Sequence, residues 1–286
     1  MAQSLQQIKK RICSIENTEK VTSAMQMVAA SKLKGMSGSL AAAAPFFHKM
    51  ETVFKGLLSD VKEIDNPFIG RRKSNAGKIC LCVVSADAGL CGAYNNNIIH
   101  AAQEFIRKHG QEKVKLVIIG KKCFNYFKRL PGPEIVRSFT GLNGNYSEAA
   151  AQEIAQALVQ MYLSGSVDEV YVAYTHFVTA LVHMPVTDKF LNLEPAEGQA
   201  HDYIYEPDKK SILEELVPAY ISAKFRLMLQ ESFTAEHASR TVAMKMATEN
   251  ARHMLQSLIL LRNKVRQAKI TEEMLEIISS AEALKA

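Results

Sequence analysis

The stretch MKMATENARHMLQSLILLRNKVRQAKITEEML, Met244 to Leu275, decides how the rest of the chain is read. Apolar or small residues fall in it at Met244, Ala247, Ala251, Met254, Leu258, Leu261, Val265, Ala268 and Leu275. The spacing alternates three and four, and Glu272 is the one break before Leu275. A stripe repeating every 3.5 residues keeps one narrow seam turned toward a partner helix as the two supercoil. No Pro follows Pro218, and Gly is absent from Ser211 to Leu284. The spacing therefore predicts one helix of about 110 Å at 1.5 Å per residue. Ser211-Ile212-Leu213-Glu214 is a capping box that opens it. Few globular domains need so long a helix, so this one is expected to reach something outside its domain.

The amino terminus carries the matching half. Leu5, Ile12, Leu33, Leu40, Phe47 and Phe54 form one line, broken by Glu19 and Gln26. Ile8, Ile15, Thr22, Ala29, Met36, Ala43, Met50 and Leu57 form a second. Ser4 and Gln7 supply a capping-box start. The register runs unbroken across Pro45, which favours one bent helix over two shorter ones joined at Ala44–Pro45.

Between these helices the period changes. A polar linker with Asn66-Pro67, Gly70 and the basic run Arg71 to Asn75 leads into Lys78–Ser85, an almost continuous apolar strand of the kind buried on both faces. Further strands are expected at Val114–Ile119, Glu134–Phe139, Glu169–Val178 and Leu181–Leu191, the last two antiparallel. Helices are expected after the first strand as far as His109, over Lys122–Arg129, and from Ser147 to Ser164. Alternating strands and helices predict an α/β, Rossmann-like domain with a mostly parallel sheet. The division is thus 1–57 for the first coiled-coil helix, 58–77 for a linker, 78–207 for the α/β domain and 208–286 for the second coiled-coil helix. With the domain inserted between them, the two helices must pair antiparallel. The second outruns the first by about 30 Å, so Ile270–Leu284 should stand alone.

Composition narrows the function. Hydrophobic residues make up 48% and the net charge is +6. Residues 1–57 hold eight Lys/Arg against three Asp/Glu, 208–286 hold twelve against ten, and 58–207 hold fifteen against sixteen. No run of eighteen apolar residues suggests a transmembrane helix, and no leader or transit pattern precedes Leu5. The five Cys lack metal-ligand spacing and fit a reducing compartment.

The first candidate for chemistry is Ser85-Ala86-Asp87-Ala88-Gly89-Leu90-Cys91-Gly92-Ala93, because a glycine-flanked turn after a strand is where nucleotide folds hold phosphate. Its spacing matches neither G-x-G-x-x-G nor a P-loop, and Gly120-Lys121-Lys122 lacks the upstream glycine. A nucleophilic Cys91 with His176 or His183 as base would need Gly where Ala93 stands. No H-x-x-x-H or H-E-x-x-H pair occurs. A tight structural turn is the simpler reading, and no cofactor or metal is expected. Nucleic acid is disfavoured by the mixed charges of the second helix and the absence of Trp. A Rossmann-like enzyme and a nucleic-acid-binding coiled coil remain the alternatives to a shaft whose seam binds its mate and whose outer faces touch large partners.

Four blocks carry a resemblance: Asn17 to Ala30, Ser85 to Gly92, Ala243 to Ala251, and Asn263 to Thr271. With them the chain resembles the gamma-subunit family of the rotary F-type ATP synthases, in its bacterial form, over its whole length. It departs from that family at Arg262, where Tyr is usual, and at Ser279-Ser280-Ala281, which replaces a Gly-containing tip. The resemblance implies a central rotor with no catalysis of its own. Its paired helices would insert into a hexamer of alpha and beta subunits, and its α/β domain would meet epsilon and the c-ring. Membrane association would come only through the complex, peripherally, on the cytoplasmic face of the plasma membrane. It further implies beta-subunit contacts at Met25, Arg240, Arg266 and Gln267, an upper bearing at Thr271 and Glu276, and a c-ring foot at Tyr203, Tyr205 and Glu206. The dithiol switch of chloroplast members should be absent, since no Cys follows Cys123.

Overall fold

A computed structural model describes residues 5–60, 66–70, 77–193, 206 and 208–283. In chain order the elements are α1 (Leu5–Asp60), β1 (Ile79–Val84), α2 (Tyr94–His109), β2 (Val114–Ile119), α3 (Lys121–Phe127), β3 (Ile135–Phe139), α4 (Glu148–Leu163), β4 (Glu169–Phe177), β5 (His183–Leu191) and α5 (Lys209–Ala283). The chain divides into two compact units: Met1–Val28 with Thr241–Ala286, and Ala29–Arg240.

The second of these units is built on one sheet in the order β3-β2-β1-β4-β5. β1 runs parallel to β2 and β4, with Ile79 opposite Val114 on one side and Glu169 on the other. β3 continues parallel to β2, and β5 closes the far edge antiparallel to β4. All six β1 residues are buried, because both faces are covered. Cys80, Cys82 and Val84 point into a core completed by α4 (Ile154, Leu158, Tyr162), the end of α1 (Phe54, Leu57) and the start of α5 (Val217, Phe225). Leu81 and Val83 face α2 (Ile98, Ala102, Ile106) and α3 (Cys123, Phe127). The alternation is the two-residue period of a strand. All five cysteines are free, and burial pushes the Cys80 thiol up to about 12.

The expected α/β architecture and its antiparallel edge pair are present, with element ends shifted by no more than three residues. α1 passes Pro45 as a single helix. Tyr220 of α5 stacks on Phe54 and Phe47 of α1, at 4.2 and 5.7 Å between ring centroids. One expected cap is misplaced. Asp208, not Ser211, caps α5: its carboxylate accepts the Lys210 and Ser211 amides at 2.9 and 3.0 Å and the Ser211 hydroxyl at 2.7 Å. A carboxylate is the better acceptor for the orphan amides, and its charge suits the positive end of the helix dipole. The cap expected at Ser4 lies outside the described residues.

One glycine is required by geometry. Gly120 has φ +95°, and a Cβ there would stand 2.1 Å from the Ser85 carbonyl oxygen. Gly120→Ala is expected to destabilise the α/β domain by about 2–3 kcal/mol. Denaturant unfolding followed by circular dichroism would measure it; a loss below half a kcal/mol, roughly that of an ordinary surface change, would contradict this account.

In the terminal unit α1 and α5 pair antiparallel. The Thr248 hydroxyl donates to that of Thr22 at 2.9 Å, and Arg252 Nε donates to Glu19 at 2.8 Å. Both predicted lines of α1 are at least half-buried along their length, Glu19 and Gln26 included. The α5 seam needs correction. Its covered residues include Met244, Ala247, Thr248, Ala251, Leu255, Leu258, Arg262 and Val265, whereas Met254 and Leu261 are exposed. The two lines share Met244, Ala251, Leu258 and Val265 and differ by one residue at the positions between, where the covered line takes Thr248, Leu255 and Arg262. The Thr248–Thr22 bond belongs to the second line. Extending this register sets Leu5 opposite residues 265–266. From Arg266 onward every described side chain is exposed, so α5 outruns the described part of α1 by about 27 Å.

Candidate functional site

β1 leads to β2 and β3 on one side, and the chain then crosses to β4 on the other. The carboxyl ends of β1 and β4 therefore flank the switch point where open α/β sheets hold ligands. Here α5 fills it. All ten residues from Glu231 to Arg240 are buried, and Ala235 packs with Ala86, Cys91 and Tyr94 in a small apolar cluster. The Tyr94 hydroxyl donates to the Ser232 carbonyl at 3.0 Å and lies 2.8 Å from the Ser232 hydroxyl. That hydroxyl oxygen also accepts the Thr175 amide at 3.3 Å. Ser239 donates to the Cys91 carbonyl at 2.7 Å, and Glu231 meets His176 Nδ1 at 2.6 Å.

The loop after β1 is equally committed. The Asp87 carboxylate accepts the backbone amides of Lys121, Gly141 and Asn143 at 2.9, 3.1 and 2.7 Å. Amides of this kind cradle phosphate in nucleotide folds; here an internal anion occupies them. Burial pushes the Cys91 thiol up, and Asn95 Nδ2 rather than a base lies on its sulfur, at 3.0 Å. His176 is engaged by Glu231, and the hydrogen bonds of the Cys91 sulfur among the described residues go to Ala88 and Asn95, not to His176 or His183. The structural turn is what the geometry supports. Among the described residues no group of three His, Cys, Asp or Glu could hold a metal ion, and no helix is long and apolar enough to cross a membrane.

Arg240, expected to touch a partner, is turned inward. Its Nη2 donates to Glu236 at 2.7 Å, its Nε to the Gly89 carbonyl at 3.4 Å, and its Nη1 approaches His237 Nδ1 at 3.4 Å. A carbonyl can only accept, so His237 carries its proton on Nε2, which lies 2.9 Å from the Gly144 oxygen. Arginine can only donate, which leaves Nδ1 as the acceptor. The ring is therefore neutral, in keeping with a pKa lowered by burial and by the Arg240 and Lys32 charges. Burial raises the Glu236 carboxyl and Arg240 opposes that rise. Glu236 Oε2 has no hydrogen-bond partner among the described residues.

The other expected contact residues fall on helical surface in the terminal unit. Arg266, Gln267, Thr271 and Glu276 are all exposed on the unpaired end of α5. Ile270, Met274, Ile277 and Ile278 share that end and are between 49% and 69% exposed; their spacing places them along one face. Met25 is half-buried near the seam. Val21, Met27 and Val28 beside it are more exposed, at 58%, 64% and 60%. Sequence reading passed these over, although their i, i+6 and i+7 spacing outside the two seam lines was the signal. It also missed the plug from Glu231 to Arg240, whose sign was the crowding of small residues there: Ser232, Ala235, Ala238 and Ser239. Glu206 is exposed; Tyr203 and Tyr205 lie outside the described residues.

The described residues thus comprise a unit of two paired terminal helices with one bare helical end, and an α/β unit whose ligand crevice is closed by its own helix. The family profile described as ATP synthase matches residues 4–284. Among relatives, the ATP synthase gamma chain of Protochlamydia amoebophila is 38% identical over 286 residues, covering 99% of each chain. That of Moorella thermoacetica is 38% identical over 284 residues, 98% of this chain and 99% of its own. The chain belongs to the ATP synthase family. Solved structures share the fold. A chain of the Tetrahymena thermophila mitochondrial ATP synthase central stalk and c-ring aligns with a TM-score of 0.61 at 22% identity, over 79% of this chain and 99% of its own. A chain of the Euglena gracilis mitochondrial enzyme aligns with a TM-score of 0.66 at 16% identity, over 98% and 94%.

Proposed function

We propose that this chain is the central rotor shaft of an F-type ATP synthase, coupling ion-driven rotation of a c-ring to conformational cycling of catalytic beta subunits. The observation that carries the reading is the bare end of α5, with exposed apolar residues, in a chain matched by the family profile from end to end. A long exposed apolar stripe calls for a partner. A single asymmetric rod in a ring of alternating alpha and beta subunits offers each catalytic site a different face. Differential contact energy is what lets a partner shift a conformational equilibrium. On this reading the chain transmits torque and catalyses nothing alone, and it sits peripherally on the cytoplasmic face of the membrane through epsilon and the c-ring. The four-part division at 57/58, 77/78 and 207/208 describes shaft, linker, foot and shaft.

Arg266 and Gln267 are the beta contacts best supported by exposure, with Thr271 and Glu276 as the bearing and Glu206, Tyr203 and Tyr205 at the foot. Met25 contributes from the seam side. Arg240 acts mainly by positioning, since its guanidinium already has internal partners. Gln267→Leu is expected to slow ATP hydrolysis by the assembled complex several-fold, as loss of a hydrogen bond made only in part of the cycle would. The circular dichroism of the lone chain should not change. Co-purification with alpha, beta and epsilon, and no ATPase from the chain alone, test the whole proposal; titration of the lone chain with ATP and NAD tests the enzyme alternative.

A further inference from the structure

We propose that the contacts joining Glu231–Arg240 of α5 to the loops at the carboxyl edge of the sheet form a torsional clamp, with Ser232 and Tyr94 at its centre. The inference rests on the rotor reading and adds where torque passes between the α/β domain and the helix.

A smooth apolar socket resists sliding of a helix poorly when the helix is twisted about its own axis, because dispersion contacts are non-directional. Hydrogen bonds have preferred angles and resist rotation. Those of α5 come from Glu231, Ser232, His237, Ser239 and Arg240. At about 100° per residue these side chains leave the helix around more than half its circumference, so twist in either sense strains some of them. They end on three separate parts of the sheet edge: Gly89, Cys91 and Tyr94 after β1; Gly144 after β3; and Thr175 and His176 at the end of β4.

The receiving loops are themselves stiff. Asp87 ties the loop after β1 to the start of α3 and to Gly141 and Asn143. Ser85 donates to the Ile119 carbonyl at 3.0 Å and accepts the Cys123 amide at 3.2 Å. Ala235 and Ala238, both fully buried, let the helix approach closely enough for short bonds. A purely structural plug would be cheaper in apolar residues, since buried polar groups add little net stability. Directional rigidity is what this polar arrangement adds.

The test uses the assembled complex, fixed to a surface through its alpha–beta hexamer. A rotating probe is attached at Val178→Cys on the exposed hairpin between β4 and β5, with the exposed Cys13 changed to Ser. In the Tyr94→Phe/Ser232→Ala double variant three hydrogen bonds of the clamp are lost. ATP-driven rotation should continue near the parental rate, while the angular variance of the probe at each dwell rises about twofold. Rotation with unchanged variance would overturn the clamp. Absence of any ATP-driven rotation in the parental complex would instead overturn the rotor reading. Should the double variant fail to assemble, Ser239→Ala removes the bond to the Cys91 carbonyl in the loop after β1, and an unchanged variance there overturns the clamp equally.

Discussion

Arg240→Ala is expected to destabilise the α/β unit by about 3–5 kcal/mol, the usual result of stranding a buried charge. Glu236 is 1% exposed and one of its oxygens already lacks a hydrogen bond; without the guanidinium it keeps no counter-charge on its own helix. The groups left facing it are Lys32 from α1, Asp87 from the loop after β1, and the neutral His237. Its carboxyl, raised by burial and held down by Arg240, would rise further. For an acid whose folded pKa lies above its unfolded value, protonation accompanies folding. The variant is then most stable below the ordinary carboxylate range and loses stability as pH climbs through the raised pKa. The deficit against the parent should be smaller at about pH 5 than at about pH 8, read from denaturant midpoints. An equal deficit at both would show that Glu236 is not the stranded charge. Arg240→Lys should fall between the two, since an ammonium keeps the charge and loses the planar fork.

Met254→Pro is expected to cost ~3 kcal/mol or more and to block assembly with alpha and beta subunits. The Met254 side chain is 55% exposed, so almost all of the effect comes from the backbone. Proline removes the amide that reaches back to the Asn250 carbonyl, and its ring collides with that carbonyl. The seam beyond it, Leu255, Leu258 and Val265, would lose register with α1. Met254→Ala is the control, expected to stay within about half a kcal/mol. Helical circular dichroism and gel filtration with the hexamer report both variants; a proline variant that assembles normally would mean the coil tolerates a kink.

Much of this was legible from residue order. The lines through Ile8, Ile12, Leu40, Phe47 and Phe54 required nothing but a 3.5-residue period, and the buried strand Ile79–Val84 nothing but six apolar residues between polar ones. The same reading erred by one residue at Met254 and Leu261, because Leu255 offered an equal apolar alternative to the first and because an apolar period cannot pick out Arg262, which takes the place of the second. Which way the Arg240 side chain turns was not legible, because a charged residue in a recognised block says nothing of it.

The two long helices, their antiparallel pairing, the inserted α/β unit and the family were all readable from residue order, since they follow from local period, from the order of the elements and from motifs along the chain. Tertiary structure decided three things. It chose between two heptad lines by the Thr248–Thr22 bond, closed the crevice of the sheet with Glu231–Arg240, and turned Arg240 inward onto Glu236. The first two depend on contacts between residues far apart in the chain, with partner separations of 226 and 138 residues for Thr22 with Thr248 and Tyr94 with Ser232, and Arg240 reaches Gly89, 151 residues away, besides Glu236 on its own helix. Such pairings are set by which surfaces can be buried together with their hydrogen bonds satisfied, a global condition that no local period encodes.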